Sequence, residues 1–98
     1  MPKTKVESDA ELALDEPRMY RVILYNDDYT TMEFVVMILE KIFHKSYQEA
    51  EQIMLDVHKK GKGICGVYTL EIAQTKVEQV RTLAKEHKFP LLATYEED

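Results

Sequence analysis

Ninety-eight residues, 45% apolar and 32% charged, fit one small globular domain. A formal charge of −5 argues against a general electrostatic grip on nucleic acid phosphates. The lone cysteine, Cys65, allows no internal disulfide and fits a reducing compartment, so a cytoplasmic location is expected; no apolar run approaches the roughly 18 residues of a membrane span, so no membrane partner is expected.

Residues 1–17, MPKTKVESDAELALDEP, carry two lysines against five acidic residues and no aromatic residue. Such a segment buries too little apolar surface to offset its ordering entropy, so a flexible acidic tail is expected, with the folded domain over 18–98. No signal-peptide core is visible in it. The first strand is expected at Arg18 to Tyr25, with Tyr20, Val22 and Leu24 on one face and Met19, Arg21, Ile23 and Tyr25 on the other. The turn Asn26-Asp27-Asp28-Tyr29 follows. Thr30 and Glu33 read as a capping box for the first helix, whose apolar positions Met32, Val35, Val36, Leu39, Ile42 and Phe43 recur at helical spacing. His44-Lys45 closes it.

Ser46 and Glu49 form a second capping box. The second helix places Ala50, Ile53, Met54 and Val57 on one stripe, with His58 on the same side. Lys59, Lys60 and Gly61 make its stop: cations against the dipole, then a residue that tolerates a positive φ. A second strand is expected at Ile64 to Thr69, with Gly66 marking a close backbone approach. A third helix is expected from Leu70 to Lys88, inward through Ala73, Val77, Val80, Ala84 and His87, and a third strand from Leu91 to Glu96 beyond Pro90. The order β-α-α-β-α-β is that of a split βαβ unit. It predicts an α+β fold: a three-stranded antiparallel sheet, strand one in the middle, with three helices packed on one face.

Three polar residues in a row, Asn26, Asp27 and Asp28, exceed what a turn requires. Calcium loops alternate their carboxylates and need a glycine, which this run lacks. Turn chemistry explains part of it, because Asn and Asp hydrogen-bond locally. His58 reads either as a partly buried, backbone-satisfied histidine or as a polar group at the rim of an apolar groove. His44 and His87 read as structural or solvated. Cys65 lies in an apolar strand, a poor place for a nucleophile. One cysteine and three scattered histidines give no zinc spacing, and no glycine-rich phosphate loop or serine elbow is present. No metal, cofactor or catalytic residue is expected. Met32 and Met54 read as core, or as adaptable lining for a binding surface. A pocket of Met32, Val35, Met54 and Val57 rimmed by Asn26, Asp27, Asp28 and His58 matches a ligand with a cation beside an apolar side chain, such as a peptide's free amino terminus with a large first residue.

The runs NDDYTTMEFV (26–35), IMLDVH (53–58), and CGVY (65–68) followed by Glu71-Ile72-Ala73 resemble the ClpS family, adaptors of the ATP-dependent Clp protease, over about residues 17–92. The resemblance implies a fold like the C-terminal domain of the ribosomal stalk protein. It implies a non-enzymatic N-end rule adaptor. Such a protein binds substrates beginning with Leu, Phe, Tyr or Trp and delivers them to a ClpA-type unfoldase and its peptidase. By motif, Asn26, Asp27 and His58 hold the α-amino group, and Asp28, Thr30, Met32, Val35, Met54, Val57 and Leu91 form or border the side-chain pocket. The methionine matching Met32 is a gate against β-branched residues. Glu71 and Lys76, on the exposed start of the third helix, match positions that contact the unfoldase N-domain. Gln74 departs from the glutamate of many relatives, which bears on that docking surface. A monomer with no nucleic acid partner is expected.

Two other classes stay open on sequence. One is a ribosome-associated interaction module of the same fold, which has no need of a pocket rimmed by Asn26, Asp27, Asp28 and His58. The other is a hydrolase using Cys65 and His58, which requires a reactive, accessible thiol.

Overall fold

The structure is a computed structural model that describes residues 17–98; the expected tail lies, except for Pro17, outside the described residues. The elements are β1 (Met19–Tyr25), α1 (Met32–Lys41), α2 (Tyr47–Lys60), β2 (Lys62–Thr69), α3 (Leu70–Glu86) and β3 (Leu92–Glu97). The sheet order is β2-β1-β3 with both pairings antiparallel, and the helices pack on one face. This is the expected α+β architecture. Element ends differ by one or two residues from the sequence reading: β2 begins at Lys62, and α3 stops at Glu86.

The helix face of β1 is supplied by Val22 and Leu24, both fully buried, which pack with Val35, Ile38, Leu39, Met54, Val57, Val77 and Val80. Ile23 belongs to the opposite face, yet only 3% of it is exposed. It sits on the central strand between Ile64 and Thr94, and those neighbours cover it. A bulge interrupts β2: Val22 pairs with Gly66 and Ile23 with Ile64, so Cys65 is the extra residue. Gly66 leaves room there for the Tyr68 phenol ring, which a Cβ would displace.

α1 is capped differently from the sequence reading. Its N-cap is Thr31, whose hydroxyl accepts the Phe34 N–H at 3.1 Å. Thr30 is occupied upstream: its N–H and its hydroxyl both donate to Asp27. Glu33 therefore falls in the first turn at the second helical position, where its charge favours the dipole but closes no capping box. Helix α1 ends with the Lys45 N–H bonding back six residues to the Leu39 carbonyl at 3.0 Å, around His44 at φ 56°. α2 carries the expected capping box, Ser46 with Glu49. It stops at Gly61, whose φ of 90° suits glycine.

One bond positions the β1–α1 loop. The Asn26 N–H donates to the Gly61 carbonyl at 2.9 Å, tying the start of the loop to the end of α2. Two segments 35 residues apart in sequence, Asn26 and Gly61, thereby share one end of the molecule.

Candidate functional site

A concavity of about 260 Å³ opens where the loop meets the α1–α2 pair. Its apolar wall is Met32 and Val35 from α1 with Met54 and Val57 from α2. Val35, Met54 and Val57 are buried, whereas Met32 is 44% exposed. The polar wall is Asn26, Asp27, Asp28 and Thr30 from the loop and His58 from α2. The structure thus brings together nine of the ten residues expected to hold the amine or form the pocket. The tenth, Leu91, lies in the hydrophobic core and is not among the cavity's lining residues.

Local chemistry explains this wall. Asp27 Oδ1 accepts the N–H groups of Tyr29 and Thr30 at 2.8 and 2.7 Å, and Oδ2 accepts the Thr30 hydroxyl at 2.7 Å. These bonds curl the backbone around the carboxylate. Partial burial pushes the Asp27 carboxyl up, but the donors from Thr30 and Tyr29 outweigh it and hold the group below its ordinary value of 3.8. An acceptor that is ionised at neutral pH results. Asn26, Asp28 and His58 are exposed beside it. His58 is therefore not the partly buried, satisfied histidine that one sequence reading offered.

Oriented acceptors above a hydrophobic wall suit a ligand that is cationic at one atom and apolar a few bonds away. Other chemistries find less here. Cys65 is 1% exposed, and burial pushes its thiol up to about 12, so it is no nucleophile at neutral pH. Among the described residues no group of three or more His, Cys, Asp or Glu side chains is placed to hold a metal ion. No described helix is long and apolar enough to cross a membrane.

The expected docking residues separate. Glu71 is exposed at the start of α3. Lys76 is not exposed as expected: its Nζ donates to the Ile42 carbonyl at 2.6 Å and lies 5.8 Å from the Tyr68 ring centroid. Helix α1 leaves that carbonyl without an internal donor, and a cation is its natural partner.

Sequence reasoning missed a second concavity along the α1–α2 groove, walled by Val36 and Met37 and rimmed by Tyr47 and Glu51. The signal was the width of the α1 apolar stripe, which includes Val36 beside Val35.

Residues 15–94 match the family model described as ATP-dependent Clp protease adaptor protein ClpS. An ATP-dependent Clp protease adapter protein ClpS from Syntrophus aciditrophicus is 60% identical over 82 residues, 84% of this chain and 77% of the relative. Another of the same name, from Desulforapulum autotrophicum, is 55% identical over 98% of this chain and 92% of its own length. Among solved structures, Agrobacterium tumefaciens ClpS2 bound to L-phenylalaninamide superposes with a TM-score of 0.82 at 37% identity, covering 85% of this chain and 100% of its own.

Proposed function

Because this chain belongs to the ClpS family of ATP-dependent Clp protease adaptors, we propose that its cavity captures the free amino terminus of proteins beginning with Leu, Phe, Tyr or Trp. In this reading Asn26, Asp27 and His58 receive the ammonium group. Met32, Val35, Met54 and Val57 receive the side chain, with Asp28 and Thr30 at the border. The captured protein passes in the cytoplasm to a ClpA-type unfoldase, docked on the Glu71 side of α3.

The observation that carries the reading is the junction of an ionised, oriented Asp27 with a buried methionine–valine wall. An α-amino group has a pKa of about 7.7–8.0 and is largely cationic at neutral pH. Bonds from it to a carboxylate are roughly twice as strong as neutral ones. Burying a Leu or Phe side chain adds about 1.5–3 kcal/mol. Both contributions favour binding, and neither requires a covalent bond to be broken. Phenylalaninamide, the molecule bound to the Agrobacterium relative, presents the same pair of features, an amine beside an aromatic side chain.

The deciding experiment measures binding of peptides that differ only in residue one and in N-acetylation. Leu-initiated and Phe-initiated peptides bind and their acetylated forms do not. Equal binding of both forms rejects amine capture.

A further inference from the structure

Four methionines fall among the described residues, and their exposure differs. Met54 is 9% exposed and Met37 is half-buried, whereas Met19 and Met32 are 40% and 44% exposed. Met19 opens β1 on the sheet face turned away from the helices and is not a lining residue of the cavity. Met32 opens α1 and lines the cavity beside Val35, Met54 and Val57. It is thus the exposed thioether of the apolar wall. An exposed thioether reacts with a hydroperoxide. A sulfur lone pair takes the terminal oxygen, the O–O bond breaks, and water or an alcohol leaves; the sulfur is oxidised by two electrons and the peroxide reduced. A thiol-dependent reductase reverses this, two thiols becoming a disulfide as the oxygen leaves in water. The change turns a flexible apolar side chain into a polar one.

We propose that Met32 is a reversible oxidation site, and that its sulfoxide shuts the cavity to apolar first residues without unfolding the domain. This rests on the amine-capture reading and adds a control of that same site. With the cavity empty, the sulfoxide oxygen of this exposed residue stays in water, so folding is little affected. With a Leu or Phe side chain in place, the same oxygen lies against apolar groups. Its neighbours offer it no donor: the side chains of Val35, Met54 and Val57 carry none, and the Thr30 hydroxyl is spent on Asp27. Asn26 and His58 are taken by the ammonium group in the same reading. A buried polar group without a partner disfavours the complex. Turned outward to water, the sulfoxide withdraws its apolar contact instead.

The test treats the full chain with hydrogen peroxide, locates the added oxygen by peptide mass mapping, and titrates a Leu-initiated peptide. Met32 gains one oxygen before Met54 does, and Leu-peptide affinity falls about fivefold or more. Methionine sulfoxide reductase with a dithiol restores the affinity, and the melting temperature of the oxidised chain stays that of the parent. Cys65 remains a thiol because it is buried. Met19→Leu loses affinity on oxidation as the parent does. Met32→Leu, compared with its own untreated form, stays within about twofold. Met32→Gln, which puts a polar group at the same place, binds the Leu peptide weakly with no peroxide at all. Undiminished binding with Met32 fully oxidised, the same loss in Met32→Leu, or a loss that tracks unfolding overturns the proposal. Failure of the untreated chain to bind the Leu peptide overturns the amine-capture reading beneath it, and shows before any oxidant is added.

Discussion

Asp27 grips Thr30 with both carboxylate oxygens, Oδ1 taking its N–H and Oδ2 its hydroxyl, each at 2.7 Å. With the Tyr29 N–H also on Oδ1, three of a carboxylate's roughly four lone-pair sites are in use, leaving one for an incoming ammonium. Asp27 is thus a structural residue of the loop as well as the acceptor that the proposed function assigns to the amine. Asp27→Ala leaves the Tyr29 and Thr30 donors unpaired, and is expected to cost about 1–3 kcal/mol of stability in addition to peptide affinity. Asp28→Ala, at an exposed position, is expected to stay within about 0.5 kcal/mol. Urea unfolding of the two variants checks this. Equal stabilities would show that the loop does not depend on Asp27.

Acid should reveal the same bonds. The folded-state pKa of Asp27 lies below its ordinary value of 3.8. Its contribution to stability is therefore complete above the ordinary value and lost as pH falls through the lowered one. Glu49 is lowered too, chiefly by its bond from the Ser46 N–H, so acid sensitivity is shared. Asp27→Asn isolates one part: between about pH 5 and pH 2 the variant loses less stability than the parent. Parallel stability curves would rule out an ionised Asp27 as the loop's anchor.

Peptide binding runs the other way with pH. The ligand's ammonium has a free pKa of about 7.7–8.0, and pairing with a carboxylate raises it in the complex. Affinity is then full below the free pKa and falls as pH rises through the value in the complex. Titrations from about pH 6 to pH 10 should show this decline for a Leu peptide. A flat profile would mean that the charge of the amine is not what the loop reads.

His58 and Met32 separate binding from folding because both are exposed. His58→Ala is expected to weaken Leu-peptide binding about tenfold or more, the loss of a hydrogen bond to a charged group, with stability changed by less than about 0.5 kcal/mol. Met32→Ala widens the mouth, so peptides beginning with Ile or Val gain relative to Leu. An unaltered Ile-to-Leu ratio would deny Met32 its part in selectivity.

The architecture was legible because its signals are local or topological. Alternation in β1, capping at Ser46 and a one-helix crossover lead to the sheet order. What escaped depends on partners distant in sequence. Thr30 and Thr31 offer the same hydroxyl to α1, and only Asp27's hold on Thr30 selects Thr31. Alternation put Ile23 on the face opposite Val22 and Leu24 but did not show that it is buried there, between Ile64 and Thr94. The cavity's residues were legible as types, an acceptor-rich loop and a methionine-bearing stripe. Their meeting follows from the β1–β2 pairing, which ends at Tyr25 with Lys62 and runs on into the Asn26 to Gly61 bond, a long-range register that no local pattern announces.

Lys76 shows how the same gap affects the docking surface. On sequence it is one charge among several on a solvated helix face; in the fold it caps the Ile42 carbonyl, 34 positions away. Lys76→Ala is expected to cost about 1–3 kcal/mol of stability, because the carbonyl loses a charged donor. Any loss of unfoldase binding in that variant is then partly a loss of fold. Glu71, exposed one turn earlier on α3, carries no such burden. Glu71→Lys is expected to leave the melting temperature and Leu-peptide affinity unchanged while weakening association with a ClpA-type N-domain. Measuring all three quantities on both variants separates the roles. If Glu71→Lys binds the N-domain like the parent, the contact lies elsewhere than the start of α3.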